Sequence, residues 1–295
     1  MPRICDYEGS QYRTEFWEGK NRQYEDLAER IAIRKMLPPQ GQRLIEVGVG
    51  FGRLVDLYAG YQQVILMDYA RSQLVEAQRY LGHDHRFVFV VADIYHLPFV
   101  DHLFDALVMV RVMHHLTNVP AAVREMRRVI DANGVAVIEH ASKRHLKSIL
   151  RWLLRRQDWN PFSPEPHEFV ELNIDFHPGW MRRQFTAAGF AIDDIRTVSH
   201  YRLPLLKDHL PPHFLARLDG LIQPTGRWFQ YAPSVFWKVA PQKPAVTDVA
   251  GFFKCPLCGY TDFQRLETML VCSSCRRQWA FKDGIYDFKT PINKD

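Results

Sequence analysis

Three groups of residues have types and spacings that chemistry can use. The first is Glu46-x-Gly48-x-Gly50-x-Gly52, directly after the apolar run that ends at Ile45. Glycines at alternate positions behind a strand let backbone approach a ligand with no Cβ in the way. The second is a pair of acids, Asp68 closing "QVILMD" and Asp93 closing "FVFVVAD". Acids at strand ends stand where open α/β sheets bind ligands, and the first follows the loop by about twenty residues, the spacing of a ribose contact. The third is Cys255, Cys258, Cys272 and Cys275. Each C-x-x-C pair presents two thiolates on one side, and two such knuckles complete a tetrahedron for zinc. A redox role needs one pair in a thioredoxin-like βαβ setting, which is absent here. With all four places taken by Cys the zinc is structural, since no position stays open for a substrate. Cys5 is left over as a free thiol.

The glycine loop does not fit a dinucleotide. The G-x-G-x-x-G pattern fails in both registers, at Arg53 counting from Gly48 and at Val55 counting from Gly50. A carboxylate at Glu46 would repel a pyrophosphate and suits a ligand that carries a cation. On these residues the chain resembles class I S-adenosylmethionine-dependent methyltransferases over roughly residues 20–200. The resemblance implies that Glu46 faces the amino-acid end of the cofactor, with Gly48, Gly50 and Gly52 passing beneath it. It places Asp68 at the ribose, Tyr69 against the adenine, Asp93 at the adenine amino group and Ile94 on the ring. Arg111 and Tyr24 join the expected cofactor set, and Tyr12, Trp17 and Arg22 are candidates, with Tyr24, for an N-terminal cover.

Methyl transfer from a sulfonium requires orientation of the acceptor, exclusion of water and a destination for the acceptor's proton. Four histidines form the candidate catalytic set: His140, His177, His115 and His167. One of His140, His167 and His177 is expected to act as base or to orient the acceptor, whereas His115 is expected chiefly to shape the pocket. Glu139, His114 and Asp175 are further candidate bases. Glu125 and Arg128, three apart on a helix, read as a surface pair.

The elements that must position these residues alternate in type. Apolar strands and amphipathic helices follow one another from residue 24 to 140, which argues a parallel sheet covered on both faces. Asn133–Gly134 is expected to close the helix over 119–130. Another strand after 190 and "SVFWKVA" (234–240) complete the sheet. The expected fold is therefore α/β: a Rossmann-like, doubly wound seven-stranded sheet with a small C-terminal zinc ribbon. The expected boundaries are a methyltransferase domain over 1–240, a linker over 241–250 and the ribbon over 251–295, with inserts at 142–178 and 201–233. In the first insert Leu146, Ile149, Leu150, Leu153 and Leu154 form one helical stripe among Lys and Arg residues. The stripe predicts a lid helix packed on the domain with a solvated basic face. Peripheral contact of 142–157 with an anionic lipid surface is the other use of such a helix.

"CRRQWAFKDGIYDF" resembles the small zinc-ribbon proteins that bind and activate methyltransferases, with Tyr286 where their tail commonly has proline. Hydrophobic residues make up 47% of the 295, enough for a large core, and the net charge of +5 demands no particular partner. No apolar run approaches a membrane span and no secretory leader is evident, so a cytoplasmic protein is expected. These readings lead to transfer of a methyl group from S-adenosylmethionine to a small or medium-sized acceptor, with zinc structural or activating. An rRNA or tRNA methyltransferase docking through the ribbon is the alternative. Beyond residue 250, seven Lys/Arg against five Asp/Glu give little footprint for nucleic acid. A cofactor-binding accessory protein without turnover is the third reading.

Overall fold

The computed structural model describes residues 3–293. Two N-terminal helices, α1 (Tyr12–Phe16) and α2 (Gln23–Met36), precede β1 (Gly41–Val47), β2 (Tyr61–Asp68), α3 (Arg71–Leu81), β3 (Phe87–Val91), β4 (Phe104–Met109), α4 (Val119–Val129) and β5 (Ile130–Ala141). A cover follows, made of α5 (Leu146–Leu153) and the hairpin β6 (His167–Val170) and β7 (Asn173–Asp175). Next come α6 (Pro178–Ala187), β8 (Phe190–Val198), α7 (Pro204–His209), α8 (Pro212–Ile222) and β9 (Ser234–Pro241). The chain ends in four short strands, β10 (Phe263–Arg265), β11 (Met269–Cys272), β12 (Gln278–Lys282) and β13 (Ile285–Asp287).

The seven-stranded sheet has the order β3-β2-β1-β4-β5-β9-β8. Strands β1 to β5 pair in parallel, and β9 runs antiparallel to both β5 and β8. Parallel strands are buried on both faces, which is why Leu44, Ile45, Val64, Ile65 and Leu66 have no exposed surface. The five parallel strands end on one side, and the loops beyond β1 to β4 carry Gly48, Gly50, Asp93 and Arg111 to one cavity.

The sheet does not stop at β3. Strand β13 adds in parallel, Ile285 beside Phe89 and Asp287 beside Val91, and continues through β12 and β11 to β10. The Phe288 amide donates to Val91 O at 2.8 Å. An exposed edge strand is a pairing hazard, and here the last strand of the ribbon covers it. The joint is sealed by aromatics: Phe288 lies 4.8 Å from Phe253 and 5.5 Å from Trp279, and Phe253 stacks on Phe99.

Four local expectations are corrected. The expected alternation of strands and helices fails behind the glycine loop, where the thirteen residues between β1 and β2 hold only a 3₁₀ turn, Val55–Tyr58. Gly48, Gly50 and Gly52 all have positive φ, and so much of a short connection spent on turns leaves no length for a helix. Asn133–Gly134 does not end α4. Strand β5 starts at Ile130, and Gly134 lies inside it, where a Cβ would come 2.8 Å from Phe104 O. The leucine stripe of α5 is not packed on the domain: Leu146, Leu150, Leu153 and Leu154 are exposed and Ser148 is the buried residue of that helix. Glu125–Arg128 is more than a surface pair, because Arg128 also donates to Leu97 O and Phe99 O and so ties down the loop after β3.

Phe288→Ala is expected to lower stability by about 3–5 kcal/mol, the usual loss for a buried Phe. The β3 edge should open with it. Hydrogen exchange would show faster exchange over 87–91 as well as 285–289; acceleration confined to the ribbon would contradict the shared edge.

Candidate functional site

A cavity of about 730 Å³, counted to its open mouth, lies over the carboxyl ends of β1, β2, β3 and β4. Gly48, Gly50, Asp68, Tyr69, Asp93, Ile94 and Arg111 line it. Gly48 (φ 75°) passes so close to Val112 that a Cβ would sit 2.1 Å from its Cγ2. Asp68 fixes the loop: Oδ2 accepts from the Gly50 amide at 2.9 Å and Oδ1 from Ala70 at 3.0 Å. Burial raises its pKa, opposed by those amides. Asp93 accepts from the Tyr95 amide at 2.9 Å, so it caps the turn after β3 and also faces the cavity.

The N-terminal segment closes the mouth. Arg3, Ile4, Cys5, Tyr7 and Tyr12 line it. No pattern in the sequence singled out the first four, because they lie in a segment with no secondary structure of its own. His115 latches this cover. Its Nδ1 lies 2.7 Å from Leu172 O, which can only accept, so Nδ1 carries the proton. Nε2, at 3.1 Å, then accepts from the Tyr7 hydroxyl. Lys289 reaches the opposite rim from the ribbon, its Nζ 3.9 Å from the Tyr69 ring centroid and 2.7 Å from Asp6 Oδ2.

Several expected cofactor residues are not at the cavity. The Glu46 side chain points to the other face of the sheet, beside Tyr58 and Arg53, with Oε2 unpartnered. Burial pushes its pKa up to about 8 against the pull of Arg53. The expectation that it faces the ligand is corrected: strand alternation puts Ile45 and Val47 on one face and Glu46 on the opposite one. Gly52 packs the loop on Leu81, where a Cβ would come within 2.8 Å. Tyr24 is core: its hydroxyl donates to Asp219 at 2.5 Å and accepts from the Tyr201 amide.

Arg111 sits at a left-handed φ of 61° at the end of β4. Its guanidinium meets Glu29 at 2.5 Å, and Arg53 meets the other oxygen of Glu29 at 2.5 Å. Glu29 is fully buried, which alone would raise its pKa, but the two guanidinium groups hold it at about 2. Trp17 lies against both cations, 4.1 Å from Arg53 and 5.0 Å from Arg111.

Arg111 also borders a second cavity of about 720 Å³, counted to its mouth. Its walls include His114, Glu139, Asp175, Arg202, Phe169 and Ser234, from the ends of β4 and β5, the β6–β7 hairpin, the segment after β8 and the start of β9. Glu139 accepts from the Arg111 amide at 2.9 Å and from Ser234 Oγ at 2.5 Å. Asp175 is held up at about 6 by burial and by the charge of Glu139, with Lys143 pulling the other way.

The four candidate catalytic histidines fall elsewhere. Since Glu139 faces this cavity, strand alternation turns His140 into the core. There its Nδ1 accepts from Trp237 Nε1 at 2.9 Å, and burial pushes it down to about 3. His177 caps α6 by accepting from the Gly179 amide at 3.0 Å, and burial lowers it to about 4. His167 stacks on Trp159 at 4.6 Å and lines neither cavity. Of the four, only His115 reaches a cavity wall.

The four ribbon thiols converge, all Sγ atoms lying within 4.8 Å of one another. Cys255 and Cys275 are 3.7 Å apart, and Cys258 and Cys272 are 3.5 Å apart. A tetrahedron with Zn–S bonds of about 2.3 Å has edges of about 3.8 Å, so the donor set fits zinc.

A family model described as a methyltransferase domain matches residues 45–138. The ubiquinone/menaquinone biosynthesis C-methyltransferase UbiE of Coxiella burnetii is 32% identical over 186 residues, covering 57% of this chain and 74% of that protein. The protein of the same name from Paracoccus denitrificans is 30% identical over 132 residues, covering 42% of this chain; the match spans about half (52%) of that relative's length. Among solved structures, a chain from the complex between the Haloferax volcanii Trm112 methyltransferase activator and the putative methyltransferase has a TM-score of 0.53. It is 14% identical, with 80% of this chain and 96% of that chain covered, a likeness of fold.

Glu29→Ala leaves the buried Arg111 guanidinium without its carboxylate and Arg53 with Asp26 alone. A stability loss of about 3–5 kcal/mol at pH 7 is expected in urea unfolding. Because the folded pKa lies below the ordinary value of 4.5, the difference from wild type should be full above about 4.5 and fade as pH falls towards 2. A loss that does not change over that window would contradict the ion triad.

Proposed function

The chain belongs to the class I S-adenosylmethionine-dependent methyltransferases, and from that premise we propose that it methylates a small or medium-sized acceptor held in the second cavity. The observation that carries the reading is the shared wall at Arg111: a glycine-lined cleft on one side and a cleft with titratable carboxyl groups on the other. Bound in the first cavity, S-adenosylmethionine supplies a methyl group on a positively charged sulfur, open to in-line displacement.

The chain's own residues bind and orient. Gly48 and Gly50 bring backbone to the ligand without side chains in the way. Asp68, already ordered by two amides, retains acceptor capacity for ribose hydroxyls. Asp93 and Ile94 serve the adenine, and Tyr69, pinned by Lys289, supports it. Arg111 takes the carboxylate of the amino-acid end, while Glu46 is turned away from the ammonium group of that end. The latch of His115 on Tyr7 and Leu172 keeps water out.

Asp175 receives the acceptor's proton. A base with pKa near 6 is ionised at neutral pH yet still basic enough to work. Glu139 is committed to the Arg111 amide and Ser234, and His140, His167 and His177 lack access to the cavity. Zinc in the four-thiol site is structural, holding β11 and the knuckle loops so that β13 can cover the β3 edge.

Asp68→Ala is expected to weaken S-adenosylmethionine binding about 10- to 100-fold in calorimetry, the worth of hydrogen bonds to a charged group. Unchanged affinity would remove the first cavity as the cofactor site. For the base, kcat/KM should rise with pH through about 6 and then level off as Asp175 ionises. Asp175→Asn should lower the plateau by about 10²–10⁴-fold and abolish that limb. An Asn variant that keeps both rate and limb would assign the proton elsewhere.

A further inference from the structure

Helix α5 turns its apolar stripe outward. Leu146, Leu150, Leu153 and Leu154 are each between 49% and 63% exposed. The orientation is fixed from the opposite face. Ser148 is buried and its Oγ donates to Lys143 O at 2.5 Å, the His145 ring caps the helix by accepting from the Ser148 amide, and the Leu146 amide donates to Tyr231 O at 2.9 Å. Four leucines are thus held in solvent by a buried polar anchor.

The charge around them is one-sided. Residues 142–157 contain six Lys or Arg and no Asp or Glu. Without these six the chain has 32 basic against 33 acidic residues, so the whole positive excess resides in this segment. Lys147, Arg151, Arg155 and Arg156 are exposed beside the leucines. Exposed aromatics extend the patch: Phe229 stacks on Tyr231, whose ring carries the Arg144 guanidinium at 4.7 Å, and Phe162 lies edge-on to Trp152. The patch also meets the proposed acceptor site, since His145, directly before α5, and exposed Phe169 both line the second cavity.

We propose that this face docks on the surface of an anionic lipid bilayer, and that the acceptor is an amphipathic molecule drawn from that bilayer into the second cavity. Leucines enter the boundary between headgroups and acyl chains while Lys and Arg meet the headgroup phosphates. A second copy of the chain is a poor occupant, because it would set two cationic faces together. Nucleic acid would leave the aliphatic stripe without a partner. The acceptor clause rests on the methyltransferase reading, whereas the docking clause does not.

The test is co-sedimentation of the full chain with vesicles of phosphatidylcholine, with and without about one-third phosphatidylglycerol. The expected result is pelleting with the anionic vesicles only. Lys147→Glu/Arg151→Glu and, separately, Leu150→Ser/Leu153→Ser should each reduce the bound fraction about tenfold or more. Neither should change S-adenosylmethionine binding, which serves as the control for folding. Failure to pellet, or pelleting that both double variants retain, overturns the proposal. So does a dimer that the Leu variant dissolves, or retention of RNA by the same cations, in the absence of vesicle binding. Loss of cofactor binding in the wild type would sink the functional reading and leave the docking result standing.

Discussion

The buried Glu29 carboxylate, held between Arg53 and Arg111, is the interaction on which the site depends. It joins α2, the glycine loop and the end of β4 at one point. Taking three charges out of water is unfavourable, and such a cluster persists when its geometry is tight and its hydrogen bonds are satisfied. Here the triad fixes Arg111, which divides two cavities and whose left-handed backbone sends its amide to Glu139. One ion cluster therefore sets the wall between a ligand cleft and its neighbour.

Around that wall the chain closes in from both ends. The N-terminal segment comes over the first cavity and is latched by Tyr7 on His115. The C-terminal ribbon comes along β3, and Lys289 clasps Tyr69 and Asp6. Neither closure uses a long helix. Each uses a few polar contacts over an aromatic surface, arranged so that residues 283 positions apart meet at one rim.

The parallel strands were legible because burial on both faces writes continuous apolar runs, and the thiols were legible because C-x-x-C spacing constrains metal geometry. Less was legible where direction matters more than spacing. Glu46 and His140 both stand on strands whose ends reach the crevice, but period-two alternation turns each towards the core. His177 looked like an acid–base group and serves as a helix cap, a use of a ring nitrogen that sequence does not distinguish. Helical periodicity disclosed the α5 stripe without showing which way it faces, because a buried Ser148 decides that. The attachment of β13 to β3 joins residues nearly two hundred apart, and no local pattern carries such a pairing.

A sulfonium nucleoside is expected to occupy the cleft bounded by the glycine loop, Asp68, Asp93 and Arg111. Hydrogen exchange of the chain with and without saturating S-adenosylhomocysteine measures this directly. The expected result is new protection at residues 48–50, at 68–70, at 93–95 and over the N-terminal cover. Protection confined to other segments, or none at all, would contradict it.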